Sequence, residues 1–127
     1  MPDVKPAEAP QRLALGRFVF CLNVKDVNAA LDFYTRLDFK KVDGVLEQGW
    51  AIVEQNGVRL GLFQGHIPAN LLNFRGGDVF ALQHSLQSRG LKMKTDAFRD
   101  PKGCCTAYLE DPDGNVLMFD TCPGETL

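Results

Sequence analysis

One candidate hairpin carries the densest chemistry in this chain. Asn56-Gly57 is a two-residue turn signal, and a turn of that length fixes the pairing across it. Glu54 then stands opposite Arg59, Ile52 opposite Gly61, and Trp50 opposite Phe63. Because side chains alternate along a strand, these six share one face. Ala51, Val53, Leu60 and Leu62 share the other, which is wholly apolar and suits a covering helix. Aromatic rings beside a carboxylate, a guanidinium and a glycine are the usual lining of a small-molecule site. Arg59, together with Arg75 farther along, could hold a carboxylate or phosphate by bidentate bonds, which would suit a small organic ligand that is anionic. The alternative for Arg59 is a cross-strand pair with Glu54, and for Trp50 and Phe63 it is core packing. Gly61 is either strand economy or room left for a ligand.

The other reactive side chains form no familiar motif: there is no nucleophile elbow, phosphate loop or HExxH. His84 falls on the polar face of a helix, away from Val79, Leu82 and Leu86, and is expected in solvent. His66, in Gly65-His66-Ile67-Pro68, reads as a surface-loop residue, with a general base on a cavity rim as the alternative. Cys21, Cys104, Cys105 and Cys122 have no zinc-type spacing. They are expected as reduced thiols of a cytoplasmic protein. Adjacent Cys104 and Cys105 read as small residues entering a strand, against a vicinal disulfide or redox switch.

These groups must be positioned by two halves that repeat. Asp26 matches Asp78 and Phe39 matches Leu91 at one offset; Asn56-Gly57 matches Asp113-Gly114 at a slightly larger one, with the excess in the loop 99–103. Each half reads β-α-β-β-β. Strands are expected over 18–24, 39–46, 50–55 and 58–63, then over 71–75 and 91–94 and in a final hairpin turning at Pro112-Asp113-Gly114. Asp26 and Asp78 are helix N-caps, followed by Val27, Ala30, Leu31, Tyr34 and Leu37, and by Val79, Leu82 and Leu86.

The chain has 127 residues, 45% hydrophobic and 24% charged, with a net charge of −2. That is one globular domain with no electrostatic reason to bind nucleic acid or anionic membrane. No apolar run approaches the roughly 18 residues of a membrane span. Residues 1–11 are rich in Pro and Ala and have no apolar signal-peptide core. The expected organisation is a flexible tail over 1–16 (an arm on a partner being the alternative), one domain over 17–122 with units 17–64 and 70–121, and a C-terminal tail over 123–127.

The run Glu110-Asp111-Pro112-Asp113-Gly114-Asn115-Val116-Leu117-Met118-Phe119-Asp120 resembles the closing hairpin of the vicinal-oxygen-chelate superfamily, which includes glyoxalase I, extradiol dioxygenases and bleomycin-resistance proteins. With Phe33-Tyr34 near the end of the first helix and the duplication, the resemblance covers residues 17 to 122. It implies an α+β fold of two tandem βαβββ units whose curved sheets enclose a cavity, within a homodimer. The four metal positions of that family match Val19, Gly61, Leu71 and Met118; a slip of one residue gives Leu72 at the third. Valine, glycine and leucine have no ligating side chain, and methionine sulfur is too soft to replace a carboxylate on a hard or borderline cation. No metal or other cofactor is therefore expected. The cavity face would comprise Cys21, Asn23, Trp50, Ile52, Glu54, Arg59, Gly61, Phe63, Asn73, Arg75, Met118 and Asp120. A three-residue final turn with Gly114 as bulge would add Tyr108 beside Met118, where a two-residue turn would bring Leu109. The function implied is metal-independent binding or sequestration of a small organic molecule. The alternatives are a glyoxalase-type lyase, isomerase or dioxygenase using non-standard residues such as Glu54, Asp120 or Cys21, and a structural or regulatory module whose cavity is closed by Trp50, Phe63 and Met118.

Overall fold

Two aspartates start the two helices. Asp26 accepts the N–H groups of Asn28 and Ala29, and Asp78 accepts that of Ala81, satisfying donors that a helix start leaves open. The computed structural model describes residues 12–126. Its first unit runs β1 (Arg17–Val24), α1 (Val27–Thr35), β2 (Lys40–Val45), β3 (Trp50–Gln55) and β4 (Val58–Gln64), with a 3-10 turn over Leu46–Gln48. Its second runs β5 (Leu71–Arg75), α2 (Val79–Ser88), β6 (Thr95–Arg99), β7 (Cys105–Glu110) and β8 (Val116–Thr121). The expected order of elements, βαβββ twice, is the observed one.

The eight strands form one mixed sheet in the order β2-β3-β4-β1-β5-β8-β7-β6. Within each unit the first strand lies parallel to the last, β1 on β4 and β5 on β8. The units join where β1 pairs antiparallel with β5, from Arg17 opposite Arg75 to Cys21 opposite Leu71. The margins β2 and β6 each have one neighbour, and each carries a register shift, between Lys41 and Asp43 and between Thr95 and Phe98.

Both helices lie on one side of the sheet. Under α1, Val27, Ala51, Val53 and Leu62 are buried, with Leu31, Tyr34 and Phe39 packed around them. Under α2, Val79, Leu82, Leu86, Met93, Ala107 and Phe119 do the same. The opposite face holds Val19, Cys21, Ile52 and Leu71, joined by Trp50, Phe63, Ile67, Val116 and Met118.

Turn chemistry sets both functional hairpins. Asn56 and Gly57 adopt positive φ of 48° and 83°, and the pairs Glu54–Arg59, Ile52–Gly61 and Trp50–Phe63 follow as expected. In the last hairpin, Asp111 Oδ1 accepts the N–H groups of Asp113 and Asn115, Gly114 N–H donates to the Asp111 carbonyl, and Gly114 takes φ 90°. This is the three-residue form, and it pairs Tyr108 with Met118.

Two expectations need correction. Residues 91–94 are not a strand. After Gly90 turns the chain at φ 84°, Leu91 N–H bonds back to Leu86, Met93 drops into the α2 core, and pairing with β7 begins only where Lys94 N–H donates to Tyr108. The cysteines are not all thiols: Cys104 and Cys122, flanking the Cys105–Thr121 pair, form a disulfide, while Cys21 and Cys105 are free. Cysteine usage therefore gives no argument for a reducing compartment. Residues 123–126 fold back onto β5 through Glu125, described below. Of the expected N-terminal tail, residues 1–11 lie outside the described residues; Leu13 and Leu15 pack against the α2 core. Among the described residues no helix is long and apolar enough to cross a membrane.

Two measurements check this architecture. Leu62→Ala, at a fully buried position, should lower unfolding stability by about 2–5 kcal/mol in a urea titration, because the cavity left behind closes only in part. Thiol titration of protein unfolded without reductant should find the two free cysteines, and all four after reduction; four before reduction would refute the pairing.

Candidate functional site

The concave face between the two units holds a cavity of about 380 Å³. Its walls come from five strands and the link between the halves. Trp50 and Phe63 form one side, with rings parallel to within 3° and centroids 6.2 Å apart. Leu71, Met118 and Cys21 form the apolar floor, and Asn73, Arg75 and Asp120 the polar end. Trp50, Phe63 and Met118 thus line an open space; they do not close it.

The polar end is a connected network. Asn73, 3% exposed, donates from Nδ2 to Asp120 Oδ1 at 2.8 Å and to the Met118 carbonyl at 3.1 Å. Arg75 grips Glu125 with two bonds, Nε to Oε2 at 3.2 Å and Nη2 to Oε1 at 3.1 Å. Its Nη1 lies 3.7 Å from Asp120 Oδ2. Glu125 also accepts the Cys122 N–H at 2.6 Å and stands 3.6 Å from Arg17 Nη2, while Arg17 Nη1 donates to the Thr126 carbonyl. No buried side-chain nitrogen or oxygen among the described residues lacks a partner.

Burial and pairing push the groups apart electrostatically. Burial raises the Asp120 carboxyl above its ordinary range; the Asn73 bond and the Arg75 charge oppose the shift without cancelling it, and Glu125 adds to it. For Glu125 burial is outweighed by the Arg75 bond, the Cys122 N–H and the two arginine charges, so its carboxyl is lowered. For Arg75 burial alone would lower the guanidinium, but the Glu125 bond and both carboxylate charges raise it. The Cys21 thiol is pushed up to about 12, first by burial and then by Asp120, against the pull of Arg75. A thiol held that high stays protonated at neutral pH, which leaves Cys21 unsuited to act as a thiolate nucleophile.

Of the residues expected on this face, Cys21, Trp50, Phe63, Asn73, Arg75, Met118 and Asp120 border the main cavity. Ile52 and Arg59 border an adjoining one of about 150 Å³, which shares Trp50 and Arg75 with it. Tyr108 borders a third, of about 270 Å³, with Lys94 and Thr95. Gly61 is buried beneath Phe63: a Cβ there would meet that ring at 2.5 Å and Ile52 Cδ1 at 3.3 Å. The chain's own aromatic fills the space over the glycine. Glu54 is committed to Arg59, Oε1 to Nε at 2.5 Å. Asn23 is exposed at the strand end, its N–H bonded to Asn70 Oδ1. Arg59 thus takes the cross-strand pair with Glu54 that stood as the alternative to anion binding, and Arg75 is paired with Glu125. His66 is exposed at the rim, with Nε2 2.6 Å from the Gln48 carbonyl and its ring edge-on to Phe63. His84 is exposed on α2. Glu125 was missed by the sequence reading, because nothing in a residue beyond the last strand signals a contact fifty positions back.

Residues 14–119 match the family model of the Glyoxalase/Bleomycin resistance protein/Dioxygenase superfamily. The chain belongs to that superfamily. The fold is shared with solved structures. A chain described as NAD-dependent benzaldehyde dehydrogenase from Legionella pneumophila is 19% identical, with 83% of this chain and 98% of that one covered, at a TM-score of 0.69. A superfamily member from Vibrio splendidus 12B01 is 17% identical, covering 83% and 97%, at 0.64. A methylmalonyl-CoA epimerase in complex with methylmalonyl-CoA and NH4+ is 17% identical, covering 90% and 98%, at 0.57. At such identities the likeness shows the fold alone. No curated protein matches the chain.

The residues that the sequence resemblance matches to metal positions offer no donor suited to a hard or borderline cation: Val19 and Leu71 are buried in the apolar cluster with Met118 against it, and Gly61 has no side chain. Among the described residues no three His, Cys, Asp or Glu side chains converge as a metal site would require.

Asp120 supplies the test of the network. A carboxyl raised on folding gives stability that is fully present below its ordinary range and lost as pH rises through the raised value. Asp120→Asn should therefore gain stability relative to the parent between about pH 4 and about pH 7, compared by urea titration at each pH. A difference that stays constant or shrinks over that interval would contradict the assignment.

Proposed function

We propose that this superfamily member binds a small organic molecule in the concave cavity without a metal. The observation that carries the reading is the combination on one face: a cavity of about 380 Å³ with an aromatic wall, an apolar floor and one polar end, and apolar or absent side chains at the four metal positions. Cavities of this size and lining suit compact ligands that stack on an aromatic wall and make a few directed polar contacts. Binding or sequestration needs no further chemistry.

A second reading is a metal-free enzyme, and Asp120 is the feature that favours it. A buried carboxyl with a raised pKa at the wall of a cavity is suited to exchange a proton with a bound molecule. Glu54, bonded to Arg59, is less suited.

The test is elemental analysis of protein purified without a histidine tag, joined to a ligand screen. Trp50 is the chain's single tryptophan, so its fluorescence reports directly on the cavity wall. Substoichiometric metal, no thermal stabilisation by Zn²⁺, Ni²⁺, Mn²⁺ or Fe²⁺, and quenching of Trp50 by members of a small-molecule library are the expected results. About one tightly held metal per chain would refute metal independence, and a screen in which nothing perturbs Trp50 would refute binding at this cavity.

A further inference from the structure

Arg75 already holds a carboxylate, and it belongs to the end of the chain itself. Two parallel bonds to Glu125 are the geometry by which a guanidinium fork recognises any carboxylate. The segment that delivers Glu125 is short. Cys122 is tied to Cys104 by the disulfide, and only Pro123 and Gly124 separate that anchor from Glu125. Pro123, Gly124 and Thr126 are exposed, so what holds the segment beyond its anchor is polar: the Arg75 fork, the Cys122 N–H and Arg17. Glu125 borders the adjoining cavity of about 150 Å³, and Arg75 and Trp50 line both that cavity and the main one, whose wall and floor are Trp50, Phe63, Leu71 and Met118.

We infer that the Arg75 cradle is the subsite for the carboxylate of an aromatic or apolar monocarboxylate, and that Glu125 is its resident stand-in, displaced when such a ligand binds. This deepens the binding reading above and rests on it. The exchange is neutral in charge: one carboxylate leaves the guanidinium as another arrives, so a half-buried arginine is never left unpaired. It is also selective. Glu125 acts at the high effective concentration of a tethered group, which a bare carboxylate does not overcome. A ligand with an apolar body adds burial against the aromatic wall, which Glu125 cannot supply.

The probes are 3-phenylpropionate and its neutral amide, 3-phenylpropionamide, titrated calorimetrically into the full chain and into Glu125→Gln. The variant should bind phenylpropionate about tenfold or more tightly than the parent, and the amide within about twofold of it. Adding Arg75→Gln should abolish the gain. In the parent chain, phenylpropionate should shift the backbone amide resonance of Cys122, which loses its Glu125 acceptor, while the amide should not; this readout stands even if the variant fails to fold. If both probes bind but Glu125→Gln leaves phenylpropionate affinity unchanged, Glu125 is no stand-in and the inference is overturned while the binding reading survives. If neither probe binds the variant, the inference is likewise overturned, and the binding reading is judged by the Trp50 screen alone.

Discussion

The antiparallel pairing of β1 with β5 is the contact on which the rest of the molecule depends. Each βαβββ unit by itself is a four-stranded sheet with a helix on one face and nothing on the other. Joining the two first strands makes one sheet, puts both helices on the same side, and leaves the two bare faces side by side. The pairing also decides which residues meet. Setting Arg17 against Arg75, Val19 against Asn73 and Cys21 against Leu71 brings the β8 residues Met118 and Asp120 within reach of the first unit. A slip of one residue would turn Asn73 and Arg75 to the helix side, where two hydrogen-bonding side chains would be buried without partners.

Polar groups at the centre of the cup are tolerated because they satisfy one another. Asn73 divides one amide group between a carboxylate and a carbonyl, and Arg75 stands between Asp120 and Glu125. The cost of burial appears as displaced proton affinities, raised for Asp120 and Cys21 and lowered for Glu125, where the arginines outweigh it. Removing one member would leave another unpaired in a poorly solvated place, so the network is cooperative.

Local signals made much of this legible in the sequence. Asn56-Gly57 admits one turn, and from that turn follow the partners of Trp50, Ile52 and Glu54. Asp26 and Asp78 mark both helix starts, and Gly114 marks the bulge that brings Tyr108 to Met118. What was not legible depends on distant partners. Residues 91–94 have the composition of a strand, but Met93 is claimed by the core beneath α2. The bond between Cys104 and Cys122 follows from the three-residue turn, whose register sets them opposite each other just past the Cys105–Thr121 pair; a two-residue turn, the alternative the sequence also allows, would not. The roles of Arg59 and Arg75 divided in the same way: Arg59 pairs with a neighbour five residues away, visible in the hairpin register, whereas Arg75 pairs with a residue outside any predicted element.

The bulged margins of the sheet have a consequence for behaviour in solution. A sheet open at both sides presents unpaired backbone groups along two lines, and any extended segment of another molecule could continue it. On β2, Lys40, Lys41 and Asp43 crowd the line with charge, and the shift between Lys41 and Asp43 interrupts its spacing. On β6, Asp96 and Arg99 are exposed and the shift between Thr95 and Phe98 does the same. An incoming strand would find only two or three evenly spaced residues before the ladder breaks. Eight strands in a row would otherwise invite growth at either side, and these two irregular hems work against the stacking of edge on edge.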